Sequence, residues 1–510
     1  MSDTSQNNKR IAKNTLLLYF RMLFMMAVNL YTSRVVLHVL GIEDFGIYNV
    51  VGGVVAMFSV ISGSLSAAIS RFITYELGKG DKEKLVRIFS SSVTIQLGLG
   101  FIILILAEII GVWFLNEKMA IPENRMYAAN WVFQLSILTF IINLISVPYN
   151  AAIIAHEKMS AFAYISILEV VAKLIIVYML LLSPIDKLIF YAILMASVAL
   201  IIRFVYGFYC KRHFGECTYH FIFDKGLLKK MFGFAGWQFF GSGSYILMTQ
   251  GVNILLNIFY GPVVNAARGI AVQVDGVVQQ FVNNFTTAIN PQITKSYAAN
   301  DNEYMFNLIY SGAKYSFFLV LLMSVPIILE TETILYLWLK NVPEHTVSFL
   351  RLILAIELLY VLSNTMMTAM LATGRIKKYQ IIVGGTGMLV FPLSWIFFKF
   401  GFAPEVAFVI QFIIFVVQLI YRLFLLHSMI GMPVKDFIHK VIIRAMVVAF
   451  ISFLIPSIIH YFINCDGIFK LILVVIISLL STIVTIYYAG LTDNEKNFAY
   501  KAIKSKFIHK

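Results

Sequence analysis

The chain has 510 residues, of which 60% are hydrophobic and only 13% charged, with a mean hydropathy of +0.84 and a formal net charge of +14. Soluble domains carry roughly 25% charged residues, so this composition excludes a water-soluble fold. The basic excess fits membrane topology rather than nucleic-acid binding.

Fourteen apolar stretches fill the chain, at about 14–39, 46–74, 86–115, 127–155, 160–183, 186–210, 229–260, 265–297, 303–328, 345–373, 378–400, 404–427, 438–462 and 468–489. Nearly all reach the ~20 residues needed to cross a bilayer, and none alternates with period 2, so they are expected to be transmembrane helices. The expected fold class is an all-α polytopic membrane protein with about 14 spans. The first stretch is far longer than the ~7–15-residue core of a cleavable signal peptide and is expected to remain as a helix.

Lysine and arginine gather in alternate connections: Lys9, Arg10 and Lys13, then Lys79 to Arg87, Lys211 to Lys230, Arg375 to Lys378, Lys435 to Arg444 and Lys496 to Lys510. Cationic loops are retained inside during insertion, which places both termini in the cytoplasm and the basic surface against anionic membrane lipid. A short amphipathic helix is expected around Phe223 to Phe232. Three cysteines, Cys210, Cys217 and Cys465, make neither a disulfide framework nor a metal cluster.

Charges inside spans are costly and mark functional candidates. The first helix holds Arg21 and Arg34, neither with an acid at i±3 or i±4. Each either snorkels to an interface or offers its planar fork to a phosphate-bearing headgroup. In the fifth helix Glu169 and Lys173 stand at i, i+4 and read first as a self-neutralised pair, with Lys173 otherwise a cavity cation.

The eighth helix is the most informative. Arg268, Asp275, Gln279, Asn283 and Asn290 are spaced by 7, 4, 4 and 7, which is one polar stripe on a 3.6-residue helix. Such a stripe faces either a water-filled cavity or matched amides on neighbouring helices. Arg268, Gln279 and Asn283 are therefore candidate substrate-cavity residues. Lys314 in the ninth helix and Glu357 in the tenth complete the isolated charges, and Asp275 with Glu357 are the carboxylates suited to proton or sodium coupling.

One constant shift in register aligns Ala68-Ile69-Ser70-Arg71-Phe72-Ile73-Thr74 with Ala288-Ile289-Asn290-Pro291-Gln292-Ile293-Thr294, Asp81 and Glu83 with Asp301 and Glu303, and Gly41 with Gly261. Six helices per repeat, an even number, give both halves one orientation. The expected organisation is a six-helix lobe over 1–213, a second repeating it over 214–428, and two further helices with a cytoplasmic tail over 429–510.

No phosphate-binding loop, zinc-protease motif or hydrolase nucleophile elbow occurs, so neither an enzyme nor a cofactor is expected. Transport would draw on an ion gradient or on downhill product removal.

The segment Ser33-Arg34-Val-Val-Leu-His-Val-Leu40-Gly41-Ile-Glu-Asp-Phe45-Gly46-Ile-Tyr48 resembles the first-loop signature of polysaccharide flippases, and Ala369-Met-Leu-Ala-Thr373-Gly374-Arg375 is similar to the end of their tenth helix. The resemblance is to the Wzx-like O-antigen and capsule flippases of the MOP superfamily. It implies a MATE-like, V-shaped pair of lobes working by alternating access in the bacterial inner membrane. The implied cargo is a polyprenyl-diphosphate-linked oligosaccharide, with glycan-assembly machinery as partner, and Arg21, Arg34 and Arg268 would suit its diphosphate. A MATE-type multidrug cation antiporter is the alternative, disfavoured by the mostly cationic unpaired charges and by the lack of a carboxylate in the first helix. A membrane glycan polymerase or ligase is less favoured. Such enzymes usually carry a large outer loop with catalytic His or Arg, and every outer connection here is short.

Overall fold

The computed structural model describes residues 3–56, 59–117, 121–183, 185–222, 224–339, 342–462, 467–493 and 495–497. Every regular element among them is helical, as the all-α expectation requires. Hydrocarbon offers the backbone no hydrogen-bond partner, and a helix satisfies its own amides within one segment.

Among the described residues ten helices are long and apolar enough to cross a bilayer, or eleven if Thr346–Val361 and Asn364–Thr373, bent by 42°, count as one span. The expected count of fourteen is not reached on that measure. Ser59–Lys79, Lys225–Ile246 with its continuation to Tyr260, and Pro262–Ala298 are long helices but richer in polar residues, the last because it carries the stripe.

Local chemistry sets the ends. The Asp81 carboxylate accepts from the Lys84 amide at 3.0 Å and starts Lys82–Leu106; Asp186 accepts from Leu188 and Ile189 and starts Lys187–His213. Asp224 does the same for Lys225–Ile246 through Gly226 and Leu227. This corrects the short amphipathic helix expected around 223–232: from Lys225 the helix runs on unbroken, because no proline intervenes and its glycines keep negative φ. Phe223 itself lies outside the described residues. Gly41 breaks the first long helix at φ +81°, and Gly261 separates Val252–Tyr260 from Pro262–Ala298 at φ +82°.

The chain divides into two compact units, one of Met1–Ser242 with Thr287–Asn302, the other of Gly243–Thr286 with Glu303–Lys510. The first is built on a core including Val51, Val132, Phe133, Ile137 and Leu188. Its Arg125 guanidinium grips two carboxylates, Asp44 at 2.6 and 2.8 Å and Asp186 at 2.6 Å, which ties three segments together. In the second unit Asn302–Leu329 is the most buried of the candidate spans, whereas Phe424 of Val406–Ile430 and Phe450 of Arg444–Phe462 are exposed, as lipid-facing residues are.

Candidate functional site

In the second unit the stripe of the Pro262–Ala298 helix opens on a cavity of about 250 Å³. Arg268, Asp275 and Gln279 line it, joined from other helices by Glu357, Tyr245, Tyr360 and Gln411. A polar cavity inside a lipid-bound chain must supply its own partners, and one amide does most of that here. The Gln279 Nε2 donates to Asp275 Oδ2 at 2.9 Å and to Glu357 Oε2 at 3.1 Å, one amide hydrogen for each carboxylate.

Asp275 and Glu357 are both buried, and Asp275 Oδ1 is buried without a hydrogen-bond partner. Burying two carboxylates around one amide is costly unless their charge is offset. Arg268 is a buried cation lining the same cavity. It donates to the Thr249 carbonyl at 2.8 Å, and its buried Nε has no partner. Thr249 lies in a π-helical turn, Leu247–Gly251, the kind of helix irregularity that recurs at functional sites.

The other sequence candidates separate. Asn283 is exposed one turn along the same helix and is not part of the cavity lining. In the first unit Lys173 pairs with Glu169 at 2.6 Å, the self-neutralised arrangement its spacing predicts. Arg21 stacks over the Phe162 ring, 4.3 Å from its centroid, with Nε buried and unpartnered, and lies within electrostatic reach of Glu169. The acid that Arg21 lacks along its own helix thus comes from another. The Arg34 side chain lies outside the described residues, as does Cys465.

Three charged groups stand apart from the expected sites. Arg422 is buried within Val406–Ile430 and donates to Ser363 Oγ at 3.1 Å; a lone arginine in an otherwise apolar span is the signal that could have found it. Lys314 is not isolated, because Glu495 from the C-terminal segment holds it at 2.7 Å. Glu157, in the first unit, collects Lys295 at 2.5 Å, Arg10 at 2.9 Å and the Gln292 amide at 2.5 Å, although its backbone is left-handed at φ +57°.

Known proteins align with this picture. The model of a family described as polysaccharide biosynthesis protein matches residues 11–297, more than half of the chain. No significant match is found among curated protein sequences. Of solved structures, a MATE protein in its bent conformation is similar with a TM-score of 0.72 at 14% identity, covering 84% of this chain and 98% of that one. A MOP superfamily transporter from Pyrococcus furiosus, characterised by a binding pocket of reverse polarity, is similar with a TM-score of 0.68 at 15% identity, over 84% and 96%. An outward-facing multidrug resistance MATE transporter of the same superfamily gives 0.67 at 16%, over 83% and 97%. The fold is that of MOP superfamily transporters.

Proposed function

We propose that this chain, which belongs to the polysaccharide biosynthesis protein family, is a flippase that carries a polyprenyl-diphosphate-linked oligosaccharide across the bacterial inner membrane. It is a multi-pass membrane protein with the fold of MOP superfamily transporters, and alternating access is the mechanism suited to that fold. The observation that carries the reading is the charged cavity of the second unit in a chain of this family. Arg268 lines it together with the buried carboxylates Asp275 and Glu357, and a guanidinium in that position could meet the oxygens of an anionic headgroup.

In this reading Arg268 attracts the diphosphate and Gln279 serves the polar part of the cargo in the charged cavity. Arg21 and Arg34 are candidate cationic contacts of the first unit, and Lys173, neutralised by Glu169, and Asn283, outside the lining, are not required. Asp275 and Glu357 take up a proton or sodium ion that couples transport to a gradient. The basic connections support cytoplasmic termini, and enzymes that assemble the glycan are the expected partners.

One observation favours a second reading. Two carboxylates beside Tyr245 and Tyr360 form an acidic, aromatic lining that also suits an organic cation, as in a multidrug antiporter.

Deleting the gene in its host separates the two. Loss of surface polysaccharide, with complete lipid-linked oligosaccharide accumulating on the cytoplasmic side by mass spectrometry, is the expected result. Intact surface glycan with heightened sensitivity to cationic drugs would overturn the flippase and favour the antiporter.

A further inference from the structure

A second cavity, of about 480 Å³, lies wholly within the first unit. That size falls in the range of roughly 300–1,000 Å³ typical of small-ligand sites. Its lining is almost entirely apolar, and no residue of the charged cavity contributes to it. Leu228, Phe232, Gly236 and Phe239 line one wall from the Lys225–Ile246 helix, at steps of four, four and three that keep them on one face. Ile95, Gly98 and Ile102 line the opposing wall from Lys82–Leu106.

Two features make this a groove rather than a packing flaw. A Cβ placed on Gly98 or Gly236 would meet no atom within 4 Å, so both walls are recessed where a side chain would otherwise fill the space. One end is polar and basic. Lys225 sits one turn before Leu228 on the same helix face, with Lys229 in the i, i+4 relation to it, and both lysines are exposed. The neighbouring Asp224 is engaged with the Gly226 and Leu227 amides. Thr94, in the lining, shares a hydrogen bond with the Tyr219 hydroxyl at 3.3 Å.

An apolar groove whose wall helix begins with two exposed lysines, in a chain embedded in lipid, matches an amphiphile with an anionic head and a hydrocarbon chain. We propose that it receives the isoprenoid tail of the lipid-linked cargo in a loading step, with the diphosphate against Lys225 and Lys229 before it reaches Arg268, an inference that rests on the flippase reading. The glycine positions leave room for the branch methyls of an isoprenoid chain. A diphosphate also matches two lysines better than the single charge of a phosphodiester.

The test uses the full chain in phosphatidylethanolamine/phosphatidylglycerol nanodiscs, with two photoreactive probes: a long-chain isoprenyl diphosphate and a phosphatidylglycerol, each bearing a diazirine in its hydrocarbon. The isoprenyl probe is expected to label peptides from Lys225–Ile246 and Lys82–Leu106, and excess unlabelled isoprenyl diphosphate to remove the label. Gly98→Phe and Gly236→Leu should lower labelling roughly tenfold by filling the space, as should the double variant Lys225→Gln/Lys229→Gln by removing the charge, while Gly385→Ala leaves it unchanged. Equal labelling by the phosphatidylglycerol probe, labelling confined to other helices, or none at all overturns the groove assignment. The mapping on the unaltered chain decides the matter even if a variant fails to fold. Isoprenyl labelling confined to other helices sinks the groove and leaves the flippase standing, whereas intact surface glycan after gene deletion sinks the flippase itself.

Discussion

Gly41 and Gly261, which the repeat alignment places on one another, both hold a positive φ that favours glycine, +81° and +82°. Each interrupts a helix, and Gly80 and Asn300 repeat the relation at the same separation, with φ of +77° and +59°. L-residues pay about 1–2 kcal/mol in this region, and glycine does not.

Gly41→Ala and Gly261→Ala should therefore each destabilise the protein by about 1–2 kcal/mol although no atom lies within 4 Å of either Cβ position. Gly385→Ala is the control: its space is equally open but its backbone is ordinary helix at φ −58°, so stability should hold or rise. Thermal unfolding of the purified chain in detergent reads the difference. Equal melting temperatures for all three variants would remove the backbone argument.

The amide of Gln279 is the hinge of the charged cavity. Gln279→Leu leaves Asp275 and Glu357 without their shared donor; a buried hydrogen bond to a charged group contributes about 1.5–3 kcal/mol, so transport should fall by roughly ten- to a hundredfold. Asp275→Asn and Glu357→Gln should instead make transport indifferent to an imposed proton or sodium gradient in proteoliposomes. Full gradient dependence in both variants would exclude these carboxylates from coupling.

Glu157 combines backbone strain with a carboxylate whose side chain is 1% exposed. Glu157→Gln keeps the strain and loses the charge that Lys295 and Arg10 share, and should cost about 1–3 kcal/mol. Glu157→Gly also loses the acceptor oxygen that glutamine keeps, but it relieves the backbone, which offsets part of that loss. Gly374 follows Asn364–Thr373 at φ +71°, a position of the same kind where glycine already stands. A glycine variant more stable than the parent would mean that the ion cluster contributes nothing.

Lys314 is 4% exposed and depends on Glu495. Truncation after Gly490 should therefore destabilise strongly, and Lys314→Met should restore much of the loss, because a buried cation is removed along with its partner. If the methionine variant gives no rescue, the pair is not what the C-terminal segment supplies.

The same pair sets a pH dependence. Burial pushes the Glu495 carboxyl up, but hydrogen bonds from Lys314 and the Thr492 amide outweigh it and hold it below the usual carboxylate range. A lowered folded value means that its stabilisation is complete above the ordinary carboxylate pKa of about 4.3 and is lost as pH falls through the folded value. Melting temperatures recorded downward from pH 6 should drop more steeply for the parent than for Glu495→Gln. Parallel curves would contradict this.

How much of the site was legible depends on whether its geometry is local. The stripe from Arg268 to Gln279 follows from helical periodicity, and so does the Glu169 and Lys173 pair, since both lie on single helices. Lys314 finds its partner in the C-terminal segment, Glu157 draws Lys295 from a distant helix, and Glu357 meets Gln279 across separate spans. No spacing rule reaches so far. Asn283, one turn beyond Gln279 on the stripe, stays out of the cavity because the packing of neighbouring helices determines how much of the stripe is enclosed.

The sequence by itself determined the solvent, the all-α class and which helices carry charge, because lipid obliges each span to satisfy its own backbone and to limit its polar residues. Only the tertiary structure decided which charges are neutralised, which carboxylates share a donor and where apolar space is left open. Those depend on side chains from separate helices meeting at hydrogen-bond or van der Waals distance, and packing alone brings them there.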